Sequence, residues 1–166
     1  ALGLDPRKAA ETYHWLAEEW LALGNPSAAV RYAETATGTH PDWGDAWILR
    51  AICENQSKQH AAAVRSYERA LAIRPIPAVR ADYAESLHLA GDEQQALTEY
   101  QRARREQPTL ASAYCGEALL RLDCKDPALR NPSEAVRLMR LAIQHEPART
   151  QYSEYLERAL RAAGQR

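Results

Sequence analysis

The chain has 166 residues, 46% of them hydrophobic and 26% charged, which excludes disorder and collagen-like repetition and leaves one globular domain or one repeat array. No stretch approaches the roughly 18 apolar residues of a membrane span, and no basic-then-apolar leader opens the sequence. Against 22 acidic residues stand 21 basic ones, a net charge of -1, so the basic excess expected of a general nucleic-acid binder is missing.

Alanine occurs 32 times and phenylalanine never, so a core must be built largely from Ala, Leu, Tyr and Trp. Cys53, Cys115 and Cys124 form no CxxC pair. Neither a disulfide framework nor a zinc ribbon is expected from them, and a reducing, cytoplasmic-type compartment fits this usage best.

Self-similarity decides the architecture. Pro41, Pro75, Pro108 and Pro147 each close a helical pattern. Setting each as position 32 of a 34-residue unit places unit starts at Ala10, Gly44, Pro77 and Ala111. Position 8 then holds Ala17, Ala51, Ala84 and Ala118. Position 20 holds Ala29, Ala63, Ala96 and Ala135, and position 27 holds Ala36, Ala70, Ala103 and Ala142. The fourth unit needs five extra residues around Asp123 to Asn131.

In chain order, residues 1–6 carry the Ala, Leu and Pro spacing of a unit's end, so residues 1–9 read as the tail of a preceding second helix, as if cut from a longer array. Paired helices A and B are expected over 10–22 and 26–38, 44–56 and 59–73, 77–89 and 93–106, and 111–123 and 132–145. Asn25, Asp92 and Ser133 stand at helix starts. From 149 a last helix has Tyr152, Tyr155, Leu156, Ala159 and Leu160 on one face and Glu154, Glu157, Arg158 and Arg161 on the other. That is the polar outer face of a solenoid cap. Gly164 falls at the turn position of a fifth unit, so continuation of the array is the competing reading.

Small residues at the recurring slots let paired helices approach closely, while Tyr and Trp supply the area that Ala lacks. With an aromatic at position 4 (Tyr13, Trp47, Tyr114; Arg80 departs) and glycine at the inter-helix turn (Gly24, Gly91; Lys58 departs), the sequence resembles the tetratricopeptide repeat over nearly its full length. The resemblance implies an all-α fold, a right-handed α-solenoid of antiparallel helix pairs. It would comprise one array of repeats at 10–43, 44–76, 77–110 and 111–148 and a capping helix over 149–166.

The resemblance also implies a non-catalytic protein-interaction scaffold whose A helices line a concave groove for a peptide or helix. Carried over position by position, groove residues are Trp15, Glu18, Asp45, Ile48, Leu49, Ile52, Asp82, Glu85, Leu89 and Leu119. No Lys or Arg falls among the groove positions. Across the expected A helices nine acids face three bases, whereas the B helices carry eight arginines and six acids. An acidic, apolar-floored groove calls for a partner segment with Lys or Arg beside apolar anchors.

The carboxylate clamp of heat-shock co-chaperones needs basic and Asn residues where this chain has His14, Glu18, Leu49, Ala78 and Asp82, so that clamp is not expected. Histidines and cysteines match no catalytic, cofactor or metal spacing; no enzyme activity, cofactor or metal is expected. Two alternatives stay open. One is a self-assembling or spacer segment of a longer array, associating through repeat ends. The other is a helical-repeat RNA binder, supported only by the Arg-bearing outer face.

Overall fold

Proline and small polar side chains set the helix starts. In the computed structural model, which describes residues 5–165, all regular structure is helical. The helices are α1 (Pro6–Ala22), α2 (Pro26–Thr39), α3 (Gly44–Gln56), α4 (His60–Ile73), α5 (Pro77–Ala90), α6 (Glu93–Glu106), α7 (Ala111–Asp123), α8 (Pro132–His145) and α9 (Gln151–Ala162). The Asn25, Asp92 and Asn131 side chains accept from the backbone N–H groups of Ala28, Gln95 and Glu134 at 3.1, 3.2 and 3.0 Å. Each thereby satisfies an orphan donor of a B helix.

One expected boundary is corrected here. Residues 6–9 are not the tail of a preceding helix but the first turn of α1, because Asp5 caps it by accepting from Arg7 N–H at 3.0 Å and Pro6 sits at the first helical position. Residues 1–4 of that expected tail lie outside the described residues. The start of the last B helix is capped by Asn131 rather than by Ser133.

Helices α1, α3 and α5 end in one shared turn. Asn25, Gln59 and Asp92 donate their N–H to the carbonyls of Trp20, Glu54 and Leu87 at 2.9, 2.8 and 2.8 Å, each around a residue with positive φ. Glycine supplies that conformation at 24 and 91, while Lys58 adopts it at φ 62° despite its Cβ. The end of α9 repeats the turn, with Gln165 N–H on the Leu160 carbonyl at 2.9 Å around Gly164.

The described chain divides into two compact units whose boundary falls between Val79 and Arg80. In the first, Ala17, Ala29, Val30, Ala33, Leu49 and Cys53 form a core flanked by Trp20 and Tyr32. In the second, α7, α8 and α9 close over Ala118, Ala135, Leu138, Met139, Ala142, Tyr152 and Ala159. All twelve recurring alanines are at most 1% exposed, as close helix crossings require. The position-4 aromatics tie the preceding link to helix A: Trp47 Nε1 donates to the Pro41 carbonyl at 2.8 Å and Tyr114 Oη to that of Pro108 at 2.9 Å. Arg80, the departure, is instead held by Glu99 and Glu106 at 2.9 Å each.

Buried charge completes each unit. Glu54 and Glu117 are each 1% exposed. Glu54 accepts from Arg50 Nε at 2.8 Å and Ser66 Oγ at 2.6 Å, and Arg50 also reaches Glu34 at 3.3 Å. Glu117 accepts from Arg104 at 2.6 Å and from Arg121 at 2.9 and 3.0 Å. Arg50 and Glu117 occupy position 7 of their repeats, Glu54 and Arg121 position 11, so the two units use one pair of slots with opposite polarity.

Candidate functional site

The expected groove residues fall into two groups, six on α1 and α3 and four on α5 and α7. In the first unit Trp15 is 56% exposed, and Glu18 lies 3.6 Å from His14 Nε2. Asp45 pairs with Arg74, and Ile48 and Ile52 are half-buried. Leu49 does not floor a groove: it is packed into the core with Ala17, Ala33 and Cys53, because position 6 of α3 turns toward the preceding helix pair. The expected acidic A-helix layer is also thinner than its count. Glu54 and Glu117 are buried and neutralised by arginines, and Asp123 pairs with Arg158.

The second unit brings Asp82, Glu85, Leu89 and Leu119 together on the walls of one recess of about 360 Å³, formed by α5, α6, α7, the link before α9 and α9 itself. Asp82 and Glu85 stand one helical turn apart on α5, and among the described residues neither takes part in an ion pair. Asp82 keeps an open side to solvent. The recess walls nevertheless strip enough water from its carboxyl, with the charge of Glu85 as the second cause, to push its pKa up to about 6.

Tyr100, from α6, forms the floor. It is 3% exposed, and burial first, then the nearby Glu85, Cys115 and Asp82, hold its hydroxyl well above the ordinary tyrosine range. Its ring lies across Gly116 so closely that a Cβ there would come within 2.3 Å of Cε1 and 2.7 Å of the hydroxyl oxygen. Glycine at position 6 of the fourth repeat therefore makes room for the phenol. The Cys115 thiol beside it is pushed up to about 12, mainly by burial, which removes it as a nucleophile at neutral pH.

Tyr100, Tyr152, Tyr155 and Arg149 are recess residues that the groove positions did not include. Tyr152 and Tyr155 stood in the apolar face read only as a cap, and Arg149 precedes α9 where no groove position was counted. Arg149 adds a basic residue to the recess from outside the A-helix groove positions. Its guanidinium is over the Tyr152 ring, 5.3 Å from the centroid, and 3.5 Å from Glu146. Among the described residues no cluster of His, Cys, Asp and Glu is arranged to hold a metal, and no helix is long and apolar enough to cross a membrane.

A family model described as tetratricopeptide repeat matches residues 44–77, which begin and end with the second helix pair and its link. The second helix pair thus has the sequence of a tetratricopeptide repeat. Solved tetratricopeptide structures share the fold of the chain. TTC0263, a thermophilic protein from Thermus thermophilus, superposes with a TM-score of 0.78 at 18% identity, covering 94% of this chain and 84% of that one. MamA residues 41-end from Desulfovibrio magneticus RS-1 gives 0.73 at 18% identity, over 92% and 84%. YrrB, described as a tetratricopeptide protein with an unusual peptide-binding site, gives 0.73 at 17% identity, over 88% and 73%. At these identities the likeness is one of fold. Comparison with curated protein sequences finds no significant match. In this fold the recess draws its lining from the A helices α5 and α7, from Tyr100 of α6, and from α9 and the link before it.

Proposed function

We propose that the chain is a non-catalytic protein-interaction scaffold whose second unit holds a partner segment bearing Lys or Arg beside apolar anchors. The observation that carries this reading is the recess itself. Asp82 and Glu85, two carboxylates that form no ion pair among the described residues, stand beside Leu89 and Leu119 around a cavity of about 360 Å³. An ammonium or guanidinium entering there meets two carboxylates in a recess that is partly shielded from water, while the leucines cover an apolar anchor. Peptide binding in YrrB, a protein of the same fold, supports the choice of a peptide over a small molecule.

In this reading the repeats occupy 10–43, 44–76, 77–110 and 111–148, with α9 as the cap that also shapes the recess. The test is selection from a defined library of short amphipathic peptides on the intact chain and on its Asp82→Lys, Glu85→Lys double variant. Wild type should retain Lys- and Arg-bearing peptides and the variant should lose them with unchanged far-ultraviolet helicity. Equal retention by both removes the proposal.

A second reading rests on another observation. Tyr13, Trp20 and Tyr32 line a cavity of about 390 Å³ against the outer face of α1 and α2, with Trp20 and Tyr32 stacked at 6.4 Å. Aromatic surface of this kind suits association of arrays through a repeat end, and solution mass across a concentration series would register it.

A further inference from the structure

The recess is lined by charges of both signs. Asp82 and Glu85 project from α5, and Arg149 approaches from the link before α9. No ion pair joins Arg149 to either carboxylate among the described residues; its only close anion is Glu146 at 3.5 Å, in a pair where both side chains are about half exposed. Such a pair holds its partners weakly. The guanidinium has five N–H donors, so its contacts with Glu146 and the Tyr152 side chain leave donors for a ligand. The fields of both walls meet inside the cavity: at the Cys115 thiol Arg149 favours the thiolate and Glu85 opposes it.

We propose that this recess is two-signed, seating a Lys or Arg side chain of the partner segment against Asp82 and Glu85 and an Asp or Glu side chain of the same segment against Arg149. This rests on the reading of the recess as a peptide site and specifies its ligand. A purely basic segment gains at α5 and is repelled at Arg149; a purely acidic one meets the reverse. Only a segment carrying both signs gains at both walls, so Arg149 is a specificity-determining residue that selects among basic segments. The ring of the buried Tyr152 beneath the guanidinium pre-positions it, which lowers the ordering cost of binding. The segment's apolar positions rest on Leu89 and Leu119.

The experiment uses a display library of short peptides with one fixed central lysine and all other positions random. It is selected on the intact chain, on Arg149→Ala and on Asp82→Asn with Glu85→Gln. Wild type should enrich Asp or Glu at a constant offset from the lysine. Arg149→Ala should keep lysine peptides and lose the acid preference, and the best wild-type peptide should weaken about fivefold, as an exposed ion pair allows. Its Glu→Gln form should bind wild type and Arg149→Ala equally, which isolates the pair as a double-mutant cycle does.

Enrichment of the same acid at the same offset by Arg149→Ala overturns the inference, as does lysine-dependent capture by wild type with no acid preference; in both cases the recess remains a peptide site. Capture indifferent to the Asp82, Glu85 variant overturns the recess reading itself. Arg149 is 54% exposed in its side chain, so its removal leaves the fold intact, and Arg149→Lys should restore the acid preference in part.

Discussion

Replacing Glu117 by Gln should destabilise the second unit by about 2–4 kcal/mol, although the change deletes no volume. The carboxylate is almost fully buried and accepts three short hydrogen bonds, one from Arg104 and two from Arg121. Without the anion, two guanidiniums are left facing an amide that can satisfy neither charge. Their side chains remain 22% and 16% exposed, so water recovers part of the loss and the expected cost stays below the upper range for a fully buried pair. Arg104 Nε already lacks a partner among the described residues, which leaves it little room to compensate. Urea unfolding of the intact chain followed by far-ultraviolet circular dichroism should show a midpoint lowered by about 1–2 M, for a slope of about 2 kcal/mol per molar. Asp45→Asn, which removes the open pair with Arg74, is the control, with a cost within about 0.5 kcal/mol. A Glu117→Gln midpoint no lower than that of Asp45→Asn would refute the assignment of Glu117 as a buried neutralised charge.

Two further outcomes follow from the recess. Gly116→Ala gains about 1 kcal/mol of helix propensity but drives a Cβ to within 2.3 Å of the Tyr100 ring, an overpacking cost of about 1–3 kcal/mol. Thermal unfolding should show a net loss in wild type and a gain in a Tyr100→Ala background; stabilisation in both would dismiss the contact. The raised Asp82 carboxyl makes binding pH-dependent: between its ordinary value of 3.8 and about 6 the folded chain holds a proton that the unfolded chain releases. The contribution of Asp82 to stability therefore falls as pH rises through that window, while affinity for a lysine peptide rises as the carboxylate forms. Glu85, His88, Tyr100, Cys115, Asp123, Arg149 and Tyr152 face the same recess. Affinity measured from about pH 5 to about pH 7 should accordingly lose most of its slope in Asp82→Asn, with His88→Gln as the control, and an unchanged slope in Asp82→Asn would assign the effect elsewhere.

The helices were legible because the signals that set them are local. Alanine at three recurring slots, proline at the link and an Asn or Asp before the B helices each act within one or two turns. The recess was half legible for the same reason: Asp82, Glu85, Leu89 and Leu119 lie on A helices at positions the repeat register assigns. Tyr100 and Arg149 were not, since one comes from a B helix and the other from a link, and only tertiary packing brings them to α5 and α7. Counting charge along A helices overstated the acidity for a related reason. Glu54 and Glu117 carry the same formal charge as Asp82, and the sequence pattern does not distinguish a carboxylate facing solvent from one facing the preceding helix. The opposed arginines at positions 7 and 11 were the available clue, because a basic and an acidic residue one turn apart on a buried face must answer each other.

That opposed polarity has a consequence for assembly. Repeats of near-identical shape can stack on the wrong neighbour while folding, a recurrent failure of multi-repeat chains. If α3 took the place of α7 beside α6, Arg50 would be driven against Arg104. In the converse exchange Glu117 would meet Glu34 beside α2. Both errors would set like charges side by side at partly buried sites where the native order sets opposite ones. The two slots thus tell α3 from α7, a distinction that the alanine crossings alone do not make.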